Sequence, residues 1–324
     1  MKDSPKNRRR KHEQKYITCA LKRFYWDMDV STDAMVYAPS ELILNEDGSV
    51  YHLRLRPEDL ADTIVMVGDP ERVPQVSKYF DKIELEVSSR EFVTHTGYIG
   101  KKRITCISHG IGCDNIDIVL NELDALAAID LENRTNAENP RVLDMVRIGT
   151  TGSLHPDLPV DSWVASSWAI GLDGLLNYYP YEPNPEQQSM LEAFLQHTGL
   201  SGELARPYAF KATESLIAKF TDRCFPGITL TAPGFYAPQG RMLRMGVKFD
   251  QLNDRYATFR HAGEVVTNFE METSAIYGLG TLGGHRVTTV CAVIANRLRK
   301  EYSKNAHISV DGLIKFVLER VSHE

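Results

Sequence analysis

Short apolar runs, each stopped by a glycine or a polar residue and followed by a segment of helical spacing, constrain this chain more than any other feature. "DTIVMVGDP" (62–70) runs unbroken from Ile64 to Val67 before Gly68. A strand apolar on both faces must be covered on both sides, as in the parallel sheets of α/β proteins. Gly68 then stops the strand, Asp69 reads as a helix cap and Pro70 as the first helical residue. "KRITCISHGIG" (102–112) repeats the pattern and feeds "CDNIDIVLNELDALAAI" (113–129). There Ile116, Val119, Leu120 and Leu123 recur at helical spacing, opposite Asp117, Asn121 and Asp124. "VLDMVRIGTTG", "SWVASSWAI" and "VTTVCAVIANR" read as further strands, and "METSAIYGLGTLGG" and "VDGLIKFVLERV" as helices. A polar, Pro-rich stretch around 177–187 reads as an excursion. This alternation predicts an α/β sandwich on one mixed sheet, as a single domain over 40–324.

Charge sets the first 39 residues apart. Residues 1–23 hold nine Lys or Arg against Asp3 and Glu13, a balance of +7 that leaves −13 on the rest of a chain of net charge −6. This composition predicts a solvated extension without a fixed fold; an arm touching RNA or a membrane is the sharper alternative. The acidic remainder argues against a nucleic-acid partner. No stretch approaches the roughly 18 uninterrupted apolar residues of a membrane helix. The five cysteines form no CxxC pair and the histidines no HExxH, so neither a disulfide framework nor a metal site is expected, and a reducing cytoplasm fits.

Three strand ends carry groups suited to chemistry. Gly68-Asp69-Pro70-Glu71-Arg72 sits where free amides and a helix dipole favour an anion, with Arg72 one turn in; an ordinary capped turn is the plainer alternative. Arg147, inside an apolar strand, must hold an anion or pair with a distant carboxylate. Thr150, Thr151 and the glycines around them would let phosphate approach the backbone. Glu270-Met271-Glu272 places two carboxylates on one face if extended, suited to a vicinal diol, or enriches a helix start in acids. Finally, "GFYAPQGR" (234–241) is a loop with Phe235, Gln239 and Arg241: a stacking face, a paired donor and acceptor, and a fork of donors. Together these suit the O=C–N–H–C=O edge of a pyrimidine dione.

In order and approximate spacing, "VYHLRL", "VGDPERV", "SSREFVTHTG", "SHGIG", "RIGTTGSL", "GFYAPQGR", "NFEMETSA" and "VIANR" resemble the nucleoside phosphorylase family, the purine/uridine phosphorylase superfamily, over most of residues 50–297. The motifs are most similar to its uridine-cleaving branch. The resemblance implies a three-layer α/β/α sandwich around a mixed, partly barrel-like sheet. It also implies phosphorolysis of uridine, deoxyuridine or thymidine to the base and ribose 1-phosphate, in pyrimidine nucleoside catabolism and salvage. By motif, Gly68, Arg72, Arg147 and Thr150 would bind phosphate, joined by Arg90 from a neighbouring subunit. Glu272 and Met271 would hold the ribose, and His52 of the neighbour its 5′-hydroxyl. Gln239 and Arg241 would read the base, with Phe235 and Ile294 packing it. The implied assembly is a homo-oligomer, a dimer or trimer of dimers, with shared sites and no nucleic-acid or membrane partner.

Phosphate would be co-substrate, without an organic cofactor. A monovalent cation held at the interface by some relatives would fall on Glu91, Ile111 and Asn115. The loop departs from the family in Pro238 and Gly240, and Val160-Asp161-Ser162 stands where the family has VGD. Displacement at an anomeric carbon builds positive charge on the ribose, to be stabilised by phosphate held at Arg147 below a ribose held by Glu272, and negative charge on the departing base, to be stabilised by Arg241 and Gln239. Purine-cleaving relatives carry an Asp after the EME-type motif; Thr273-Ser274-Ala275 has none, which favours a pyrimidine. The alternatives are a nucleosidase using water, which three arginines at the nucleophile position argue against, and a non-catalytic nucleoside binder.

Overall fold

A computed structural model describes residues 36–200 and 202–322; the basic head up to residue 35 lies outside them. The strands are β1 (Thr63–Val67), β2 (Lys82–Ser89), β3 (Phe92–Ile99), β4 (Lys102–Ser108), β5 (Ile129–Asp130), β6 (Thr135–Asn136) and β7 (Asp144–Ser153), then β8 (Trp163–Gly171), β9 (Tyr208–Lys211), β10 (Phe225–Thr231), β11 (Arg260–His261), β12 (Glu264–Glu270), β13 (Arg286–Asn296) and β14 (Glu301–Tyr302). The helices are α1 (Arg72–Ser77), α2 (Cys113–Ala128), α3 (Pro185–Thr198), α4 (Glu214–Ile217), α5 (Leu252–Thr258), α6 (Thr273–Leu282) and α7 (Ala306–Ser322).

One 12-stranded mixed sheet organises the chain. Its order runs β12-β10-β8-β13-β7, and β12 turns back to pair with β7 as well. Those five strands therefore close into a barrel, while β1-β4-β3-β2 fan out from β7 as an open flank. The closing contact is short, Asn268 opposite Ser153 and Phe269 opposite Gly152. In β13 the pairing with β7 passes from Val293–Thr151 to Ala295–Gly152, so Ile294 is an extra, bulged residue.

The apolar runs are buried because helices cover both faces. One core packs β1 and β7 residues Ile64, Met66 and Met145 against Ile116, Val119, Leu120 and Leu123 of α2 and Ile276 of α6. The other packs Val65, Val146 and Ile148 against Val73 of α1 and Leu313, Ile314 and Val317 of α7. Each such aliphatic side chain contributes about 1.5–3 kcal/mol on full burial. A third core, with Phe194 of α3 and Tyr256 of α5, lies against Ile170, Leu230 and Phe269.

Local starts differ from the sequence expectation at three places. The helix after β1 begins at Arg72, not at Pro70. Asp69 instead accepts the Glu71 amide at 2.9 Å, forming a turn before the helix. The Pro-rich excursion is interrupted by order: Asn184 caps α3 with bonds from the Glu186 and Gln187 amides. Val36 and Tyr37, assigned by sequence to the head, lie against the β5–β6 hairpin, where the Tyr37 hydroxyl donates to Asn136 at 2.6 Å.

Candidate active site

The carboxyl ends of β1, β7, β12 and β13 and the loop after β10 surround a cleft of about 720 Å³. Such a position, beyond the strand ends of an α/β sheet, is where ligands bind in open sheets of this class. Gly68, Arg72, Arg147, Thr150, Phe235, Gln239, Arg241, Met271, Glu272 and Ile294, drawn from segments more than 200 residues apart, all line it.

Arg147 is only 3% exposed. Its guanidinium donates to Glu272 and lies 3.1 Å from Glu270, and its Nε donates to His109 Nε2 at 3.3 Å. The distant-segment ion pair left open by the sequence is thus present, and Arg147 lines the cleft as well. Gly149 permits this fold-back: a Cβ there would fall 2.4 Å from Arg147 Nη1 and 2.8 Å from Cys291 Sγ. Burial works against the Arg147 charge, but Glu272 and Glu270 outweigh it and hold the proton more tightly than usual. Arg72 differs: half-buried, its side chain makes no hydrogen bond or ion pair among the described residues. Burial, then repulsion from Arg147, depress its pKa. Asp69 works in the opposite direction without reversing the shift.

The two carboxylates divide their work. Glu270 accepts from Thr231 Oγ1 at 2.6 Å and from the Glu272 and Thr273 amides at 2.9 and 2.8 Å, which satisfies the start of α6. Glu272 takes the Gly112 amide at 2.9 Å on one oxygen and Arg147 on the other. Burial raises the Glu272 carboxyl to about 7; Arg147 opposes the rise and Glu270 adds to it. Of the paired threonines, Thr151 spends its hydroxyl on the Phe269 carbonyl, whereas half-buried Thr150 faces the cleft.

At the other end the loop closes on itself. Arg241 Nη1 donates to Gln239 Oε1 and to the Phe235 carbonyl, both at 2.6 Å, and its guanidinium carbon sits 3.7 Å from the Phe235 ring centre. The ring face that the sequence assigned to a base is here covered by Arg241. Gly240, at φ +66°, leaves room for Asn253, whose Nδ2 holds the Gln239 carbonyl at 3.0 Å; a Cβ at Gly240 would meet that nitrogen at 2.5 Å. Burial, then the charge of Arg297, lowers Arg241 to about 10.

Arg297 was missed by the sequence reading although it ends the quoted "VIANR". Its Nη1 is buried without a hydrogen-bond partner among the described residues, and burial depresses its pKa. The available signal was a guanidinium just after the buried strand β13. His109, in "SHGIG", was also quoted without a role.

His52 and Arg90 are not in the cleft wall. His52 Nδ1 is 2.6 Å from Glu122 in a separate depression. Exposed Arg90, at φ +56° between β2 and β3, borders another with Arg54 and Tyr51. Glu91, Ile111 and Asn115 gather at the cleft rim.

Residues 62–321 match a family described as the phosphorylase superfamily. The uridine phosphorylase of Thermococcus kodakarensis is 30% identical over 268 residues, 83% of this chain and 85% of that protein. That of Escherichia coli is 27% identical over 262 residues, 78% and 88% of the two. Among solved structures, a Trypanosoma brucei nucleoside phosphorylase, described as showing uridine phosphorylase activity, superposes with a TM-score of 0.80 at 30% identity, covering 87% of this chain and all of that one. A Toxoplasma gondii purine nucleoside phosphorylase shares the fold at a TM-score of 0.60 and 22% identity, over 86% and 98% of the two chains. With the family matched across both the open flank and the closed barrel, this chain belongs to the phosphorylase superfamily.

Proposed function

We propose that the protein cleaves uridine by phosphorolysis, releasing uracil and ribose 1-phosphate. One observation carries this reading: a single cleft holds an unpaired, desolvated Arg72 beside Arg147 and Thr150 at one end, Glu272 between, and the Gln239–Arg241 pair at the other. Phosphate would displace solvent from Arg72, the Gly68 backbone and Thr150. The ribose diol would donate to Glu272, which needs its ionised form. Gln239 and Arg241 would meet the uracil edge and stabilise the charge that grows on its carbonyls as the glycosidic bond breaks. Phe235, Ile294 and Met271 supply the apolar walls.

The same superfamily includes proteins named as purine phosphorylases, so the base needs its own argument. Asp173 is bonded by the Tyr208 and Ser274 hydroxyls and does not line the cleft. Beyond Glu272, the start of α6 runs Thr273-Ser274-Ala275 and adds no Asp for a purine N7, which supports a pyrimidine. Deoxyuridine and thymidine belong to the same substrate class. Uridine incubated with the protein should disappear only when phosphate is supplied, with ribose 1-phosphate formed in equal amount. Equal uracil release in phosphate-free buffer would establish a nucleosidase instead.

The reading extends to an oligomer with shared sites, phosphate as co-substrate and no organic cofactor; it leaves out a rim cation, because Asn115 stands where the cation-holding relatives have Ser. What supports sharing is that Arg90 and His52 match family site motifs yet stand outside their own cleft. Refolding inactive R90A and E272A chains together should restore activity, because a two-fold pair then contains one site free of both defects. Mixed dimers without activity would count against it.

A further inference from the structure

One fully buried polar side chain next to the anion end of the cleft has no part in the reading above. His109 is 0% exposed and follows β4. Its amide donates to the Val67 carbonyl at 2.8 Å, which fixes its backbone beside the end of β1. Its ring lies behind Gly68, near enough for a Cβ on Gly68 to sit 3.6 Å from His109 Cε1. Nε2 faces the Nε–H of Arg147 at 3.3 Å, and Nδ1 is buried without a partner among the described residues.

This geometry fixes the protonation pattern. A guanidinium N–H only donates, so the nitrogen facing it must be a free acceptor. The proton of a neutral ring then resides on Nδ1. An imidazolium would set a second buried cation against Arg147, with Arg72 nearby.

The remaining contacts of Arg147 show what this acceptor adds. Glu272, Glu270 and Cys291 all engage the two terminal nitrogens. Only His109 among these partners holds Nε, the nitrogen nearest the backbone, and so sets the rotation of the guanidinium plane. Glu272 must also serve the ribose, so its grip on Arg147 changes as substrate binds. The His109 contact does not.

We propose that His109, as the neutral ring protonated on Nδ1, is a positioning residue that fixes Arg147 for the phosphate end of the cleft. The inference rests on the proposed phosphorolysis for its kinetic consequence, but not for its structural one. His109→Leu removes the acceptor at similar volume, whereas His109→Gln carries an oxygen to about the place of Nε2. In H109L the KM for phosphate should rise about tenfold or more with the KM for uridine changed less than about threefold, and H109Q should recover most of the loss. Independently, nitrogen NMR of histidine-labelled wild-type protein at pH 7 should show one ring, absent from H109Q, that is neutral and protonated on Nδ1. An Nε2–H or imidazolium ring, an unchanged phosphate KM in H109L, equal rises in both KM values, or no rescue by Gln would each overturn the proposal. If the wild-type protein needs no phosphate, the phosphorolysis reading fails while the NMR result still decides the state of His109.

Discussion

The two ends of the cleft are built in opposite ways. The anion end is made by the sheet: Arg147 sits within β7, Glu270 closes β12, Glu272 opens α6, and each is 6% exposed or less. The other end is a loop whose order comes from contacts among Phe235, Gln239 and Arg241, with Asn253 of α5 holding the Gln239 carbonyl. Around it Phe235, Tyr236, Met242, Leu243 and Met245 are 50–93% exposed. At the first end, side chains hold charge against burial, and the fold depends on their agreement. At the second, the fold asks little, and polar groups satisfy one another until something better arrives. Chemistry and stability should therefore be inseparable at one end and separable at the other.

The largest effect is expected where they are inseparable. Arg147→Ala leaves Glu270 and Glu272 buried without their cation, and should cost about 3–5 kcal/mol of folding stability together with nearly all activity. Urea unfolding of the variant measures it, and a stability within about 1 kcal/mol of wild type would erase the contrast. Next, Arg241→Ala should lower kcat/KM for uridine about 10²–10³-fold while the unfolding midpoint stays put. A clear loss of stability there would show that the loop clasp supports the fold after all.

The smallest effect sharpens the comparison through pH. Glu272 is raised from 4.5 to about 7, chiefly by burial. The native protein then binds this proton more tightly than the unfolded chain. Its contribution to stability is complete below the unfolded value, and is lost as pH rises through about 7. The difference in melting temperature between wild type and Glu272→Gln should follow that window, whereas the corresponding difference for Gln239→Ala at the loop, which adds and removes no titratable group, should not. A flat wild-type minus E272Q difference from pH 4.5 to 8 would show that Arg147 keeps Glu272 ionised throughout.

Much of this was legible in the sequence because it is local. Short, mostly apolar runs marked β1, β4, β7 and β13, and the 3.6-residue spacing of Ile116, Val119, Leu120 and Leu123 marked the buried face of α2. The lining residues were recoverable because each follows a strand end in a recognisable motif. What stayed hidden depends on distance along the chain. Closure of the barrel rests on Asn268–Ser153 and Phe269–Gly152, pairs more than 100 residues apart that no periodicity announces. The partners of Arg147 lie 123 and 125 residues away, so the sequence could show only that a partner was required. Asp69 misled because an Asp before Pro suits a cap and a tight turn equally well, and spacing does not separate them. His109 and Arg297 escaped because their significance is burial beside another cation, a property of three dimensions only.

The bulge in β13 has a consequence for how this protein can vary over generations. Ile294 contributes to the cleft wall but is the one residue of its strand that the pairing with β7 passes over between Val293 and Ala295. Losing this one residue leaves every rung of that ladder with a partner, whereas losing a residue from a strand paired without a bulge takes a rung away. Mutation can thus try new shapes at the wall of the cleft without disturbing the inheritance of the barrel, because the two traits are written in different residues of one strand.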